Sequence, residues 1–157
     1  MSYLQIPQGA DLVQALEPQT NAGELTGDYI SMKTAHKVFV IFHMQQTTAD
    51  QAILSLMKST GVTPEADAVA VTATFPIWYN LDCTTDGYTQ ATDAATYTLS
   101  VGATNKMVIF QIDPSYLPGF DCIAAVVGAS DVANLVAVTY LIENRYKGDG
   151  VPSVIID

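Results

Sequence analysis

From Val38 to Phe42 every residue is apolar, inside a longer run, HKVFVIFHMQQ, rich in β-branched and aromatic side chains. Successive side chains of a strand point to opposite faces, so a strand with one wet face alternates apolar with polar. A run that is apolar at every position predicts a strand covered on both sides. Further along, Tyr97, Leu99 and Val101 fall on one face of a strand, and Thr96, Thr98 and Ser100 on the other. Residues 102–105 turn the chain and KMVIFQID returns it, which predicts a β-hairpin. Past Asp113-Pro114 and Pro118-Gly119, FDCIAAVV and NLVAVTYLIENRY predict two more strands about a GASD turn.

The other segments are shorter or less decided. DYISMK alternates loosely, residues 68–74 alternate Ala, Val and Thr, and FPIWYNLD carries Pro76, which suits a strand start or an edge. TTADQAILSLMKSTG has a capping-box signature, Thr48 with Gln51, and a closing Gly61. Its setting between strands favours a strand for residues 48–60, with a helix as the alternative. Residues 1–27 hold Pro7, Gly9, Pro18, Gly23 and Gly27 without a sustained period, and ADLVQALE predicts one or two helical turns stopped by Pro18. The segment reads as an arm laid on a surface, with Tyr3, Leu4, Ile6, Leu12, Val13 and Leu16 as apolar anchors. The expected organisation is an N-terminal arm (1–27), one all-β domain (28–147) and a C-terminal tail (148–157). Many short strands between Gly, Pro and Asn turns predict a β-sandwich or jelly roll with extended arms. No internal repeat is visible.

A chain of 157 residues is one domain by length, and its 14% charged fraction is well below the usual ~25%. Six Lys or Arg face sixteen Asp or Glu, a net charge of −10. Counterion release from a phosphate backbone needs cationic side chains, so nucleic acid is not an expected partner. The N-terminus lacks the basic and apolar regions of a signal peptide. The most apolar stretch, 122–142, carries Asp131 and Asn134 at its centre, so a membrane span is not expected either. Cys83 and Cys122 form no CxxC pair and read as two buried free thiols.

Reactive chemistry is hard to find. His36 and His43 are seven apart on one strand, which sends them to opposite faces and rules out a shared metal. GAS at 128–130 lacks the second glycine of a nucleophile elbow, and no phosphate loop, HExxH or dinucleotide fingerprint is present. A Cys-His pair formed by the fold stays open. The loop LDCTTDGYTQATD offers Asp82, Asp86 and Asp93 as Ca²⁺ ligands, but its spacing departs from the EF-hand and turn-forming aspartates explain it as well. Trp78 and Tyr79 beside Asn80 and Asp82 suggest a sugar platform, against the plainer reading of core and rim. No enzyme, cofactor or metal is expected.

Several stretches resemble a family of small virion proteins of tailed bacteriophages: SYLQIPQGADLVQALEPQ, GDYISMKTAHKVFVIFHMQQ, FPIWYNLD, KMVIFQIDPSYL, GFDCI and the ending YLIENRY…PSVIID. The likeness runs through most of the chain and is weakest over 47–75. It implies a capsid decoration, or cement, protein that binds the major capsid protein on the virion surface after synthesis in the host cytoplasm. It further implies a dimer or trimer, with inter-subunit contacts from 1–17 and from the tail residues Val151, Val154, Ile155 and Ile156. A tail or head–tail connector subunit would share these features, and a receptor- or glycan-binding module is a third reading.

Overall fold

The structure, a computed structural model, describes residues 9–47, 50–63 and 67–145. These build twelve β-strands and a single turn of 3-10 helix at Pro114–Tyr116. The strands are β1 (Ala10–Thr20), β2 (Leu25–Thr26), β3 (Ile30–Ser31), β4 (Ala35–Gln45), β5 (Ile53–Ser59) and β6 (Val69–Ala70). They continue with β7 (Ile77–Asn80), β8 (Thr89–Gln90), β9 (Tyr97–Thr98), β10 (Asn105–Ile112), β11 (Cys122–Val127) and β12 (Leu135–Asn144). All pairings are antiparallel. The first sheet runs β1-β12-β4-β10-β7-β8; the second runs β2-β11-β5-β6, with β3 also on β11 and β9 also on β5.

Alternation within the long strands makes the core. Val38, Val40, Phe42 and Met44 of β4 are buried, with Val108, Phe110 and Ile112 of β10 and Val136, Val138, Tyr140 and Ile142 of β12. Leu54 and Leu56 of β5 and Ile123, Ala125 and Val127 of β11 join them in one cluster shared by both sheets. Strand β11 is buried at every position, because Tyr29, Met57, Val62 and Ala68 close over Cys122 and Ala124 on its other face. Phe110 meets Phe42 and Phe75 with ring centroids 4.9 and 5.0 Å apart, inside the range of favourable aromatic pairs.

One hydroxyl ties the layers together. Strands β2 and β3 pair with β11 on either side of a gap at residues 27–29. In that gap the Ala125 N–H donates to Tyr140 Oη (2.7 Å), and the hydroxyl donates to the Asp28 carbonyl (3.0 Å). A side chain from the first sheet thus fills a missing rung of the second. At the same place the Asp28 N–H donates to Ala15 O (2.9 Å), which joins β1 to the β2–β3 connection.

Five expectations change. ADLVQALE is not helical: residues 10–20 pair with β12 from Ala10↔Glu143 to Thr20↔Leu135, with register shifts after Gln14 and Leu16. Ala, Leu, Gln and Glu favour helix locally, but burial of Ala15 and Leu16 against β12 outweighs that preference. Pro18 is tolerated because β1 is an edge strand. The segment read as an arm therefore supplies β1 and β2 to the two sheets. Residues 97–112 are not a hairpin either. Tyr97 and Thr98 pair with β5 in the second sheet, whereas β10 lies between β4 and β7 in the first. The turn near Gly102 (φ +127°) crosses between layers, since alternation tells which face is buried and not which strand is the neighbour. Segment 68–74 shortens to β6, and Cys83 is exposed in the loop after β7 while Cys122 is buried; both are free.

Candidate functional site: an apolar outer sheet face

The outward positions of the first sheet follow from the same alternation. Antiparallel register sets Leu12, Leu141 and Phe39 in one row, and Thr139, Ile41, Ile109 and Trp78 in the next. A third row holds Ala137, His43, Met107 and Asn80. Phe39, Ile41, Ile109, Trp78 and Leu141 are half-buried beside one another, Leu12 is 60% exposed and Leu135 41%. No further layer of strand or helix covers them among the described residues. Tyr88 leans in, with its hydroxyl 2.6 Å from Met107 Sδ. The result is a diagonal stripe from Leu141 and Phe39 through Ile41 and Ile109 to Trp78, free of carboxylates and ammonium groups.

At the foot of this face a groove of about 350 Å³ is lined by Pro18, His43, Cys83, Met107, Leu135 and Ala137 among others. It brings His43 and Cys83 into one neighbourhood, which the sequence left open. A nucleophilic pair needs a thiol pushed down and an imidazole pushed up. Here burial, then the nearby Asp82 carboxylate, pushes the Cys83 thiol up, and burial pushes His43 down. Both shifts favour the neutral forms of the two groups. His36 is exposed near the other end of β4 and takes no part.

The remaining candidates disperse. Trp78 faces outward, whereas Tyr79 packs against the core and stacks on Tyr97 (centroids 5.5 Å, 27° between planes). Asn80 Nδ2 donates to Thr85 O (2.8 Å) and Asn80 Oδ1 accepts from the Asp82 N–H (2.9 Å), so the polar half of a sugar platform is engaged within its own loop. Asp82 Oδ1 accepts from the Thr84 hydroxyl (2.7 Å) and N–H (3.1 Å), which holds its carboxyl below the usual range. Among the described residues no three His, Cys, Asp or Glu side chains gather as metal ligands. Of the expected interface residues, Leu12 lies on the outer face, but Val13 and Leu16 belong to the chain's own core. Tyr3, Leu4, Ile6, Val151, Val154, Ile155 and Ile156 lie outside the described residues.

Basic residues far apart in sequence meet at the end where β4 begins. Lys33 Nζ pairs with Asp121 (3.3 Å), Lys58 sits 4.6 Å over the Phe120 ring, and Arg145 Nε donates to Ala35 O (2.8 Å). Carboxylates interleave with them, so this end is mixed in charge and not a cationic patch. Lys106, only 3% exposed, lies in the core side of β10 and donates to Gln46 Oε1 and Ser100 O, both at 2.6 Å. Burial beside these neutral acceptors pushes its ammonium pKa down.

No family model matches this chain, and no curated protein matches it. Among solved structures, the crystal structure of SPBc2 prophage-derived protein YomS aligns with a TM-score of 0.48 and 8% identity, over 90% of this chain and 98% of that one. So loose a likeness says nothing about what either chain does.

Proposed function

We propose that this chain is a non-enzymatic virion subunit, a jelly-roll capsid decoration protein whose first sheet turns its outer face toward neighbouring polypeptides. The observation that carries this reading is the apolar stripe on that face. Contiguous apolar patches on an outer face often mark contact surfaces, and Phe39, Ile41, Ile109, Trp78 and Leu141 form such a row. The strand order supports the architecture. With β3, the β7–β8 pair at one edge of the first sheet and β9 left out, the eight others stand first-eighth-third-sixth in one sheet and second-seventh-fourth-fifth in the other. That selection is consistent with the order of an eight-stranded jelly roll, a fold that recurs in viral capsid and lectin domains. Fold alone does not assign a role. The resemblance to tailed-phage virion proteins supplies the particle.

The test is mass spectrometry of purified particles from the source of this sequence, followed by a reconstruction of the particle. A two-sheet density repeated over the head lattice, with the stripe against the major capsid protein, is the expected result. Density confined to the tail would reassign the subunit to the tail or its connector. Absence from the particle would overturn the proposal.

A further inference from the structure

We infer that in the free protein a second copy of this chain covers the outer face of the first sheet, the two copies related by a two-fold axis. A two-fold contact sets one surface against itself, so that surface must be self-complementary. The outer face meets the condition in charge. From the row of Leu141, Phe39 and Gln111 to that of Leu135, Gln45 and Asn105, the outward positions of β12, β4, β10 and β7 carry no carboxylate, ammonium or guanidinium. The chain as a whole has a net charge of −10, which makes two copies repel. Along this face they approach without bringing like charges together.

The rim is self-complementary as well. Gln14, Gln111, Gln45 and Asn105 border the stripe, and Gln90 stands beside Trp78 at its end. Every amide carries both donors and an acceptor, so such a rim can bond to its own copy, whereas a rim of lysines or of aspartates would repel itself. Size sets the strength. The six strands span about 24 Å at ~4.8 Å per spacing, and the rows from Leu141 to Leu135 span about 20 Å at ~3.3 Å per residue. Two such footprints come to at most roughly 1,000 Å², the lower bound for a specific interface and well below the ~2,000 Å² or more of obligate dimers. The dimer is therefore weak, with a Kd of roughly micromolar or above, and a particle can displace the second copy. This inference shares its face with the proposed virion role but concerns the free protein alone.

Sedimentation velocity on the purified full chain tests it, from about 5 µM to about 500 µM, a range that brackets such a Kd. A monomer–dimer equilibrium is expected, little changed between about 0.05 and about 1 M NaCl because no ions meet across it. Dilution should move the emission of Trp78, the only tryptophan, to longer wavelength as the dimer parts. Ile109 stands near the middle of the stripe, hence near the axis. I109D and I109K should each be monomeric with Tm close to that of the unaltered chain. Their equimolar mixture should associate again, now with salt dependence. Thr139→Lys, a polar site in the same row, repeats the test should I109D lower Tm. V132D, at a position 65% exposed in the turn before β12, should dimerise as the unaltered chain does. A full chain monomeric throughout, association lost in high salt, I109D that dimerises unchanged, or a mixture of I109D and I109K that stays monomeric would each overturn the inference. A monomer would leave the face to a different chain, and the particle reconstruction would still decide the virion role.

Discussion

Replacing Tyr140 by Phe removes one oxygen atom, and the structure says what that oxygen holds. Tyr140 is fully buried, so its ring keeps its packing among the core side chains in the variant. The Ala125 N–H, on a strand buried at every position, loses its acceptor at 2.7 Å, and the Asp28 carbonyl loses a donor at 3.0 Å. An orphaned buried N–H costs about 1–3 kcal/mol, and the lost bond to the carbonyl of half-buried Asp28 about 0.5–1.5. Y140F should therefore destabilise the fold by about 2–4 kcal/mol. For a chain of this length that lowers Tm by roughly 5–15 °C. Urea denaturation measures the first, calorimetry the second, and amide exchange should show Ala125 losing protection selectively. Tyr88→Phe, at a 47% exposed site, is the control and should stay within about 0.5 kcal/mol. If Y140F matched that control, the missing rung of β11 would not be filled by this hydroxyl, and the account of how the sheets are tied would fail.

Two further perturbations test the packing. Gly27→Ala places a Cβ 2.8 Å from Ala15 O, backbone against backbone where β1 meets the β2–β3 connection, and should destabilise by about 1–3 kcal/mol in urea denaturation. Gly23→Ala, with nothing near its Cβ, should be neutral or slightly stabilising, and equal effects at the two sites would sink the close-approach argument. Lys106 binds its proton less readily in the folded chain than at its ordinary 10.5, so it withholds stability at lower pH and returns it as pH rises toward that value. Tyr140 and Tyr29 act the other way: burial raises them, and their stabilisation is lost as pH climbs past the ordinary 10.0. The difference between wild type and K106M isolates the lysine. Wild type should gain on K106M as pH rises toward 10.5, and parallel curves would mean that Lys106 is solvated in the folded state.

Much of the fold is legible in the sequence because long apolar alternation survives any arrangement of neighbours. Strands β4, β10, β11 and β12 are of this kind, and they form the centre of both sheets. Pairing is another matter. The run 97–101 and the strand 105–112 look like two halves of a hairpin, yet Leu99 N–H bonds to Ala52 O in one layer while Ile109 sits beside Ile41 in the other. Period and turn residues are the same whether the chain doubles back in one sheet or crosses to the next. Strand β1 was hidden for a different reason. Its helix-favouring composition and two bulges erase the period of two, and only β12, more than a hundred residues away in sequence, makes it a strand. The groove likewise joins Cys83, His43 and Leu135 from three distant segments. Val38 to Phe42 is the instructive case. Apolar at every position, it announces that both faces want cover, and the described residues supply that cover on one face only.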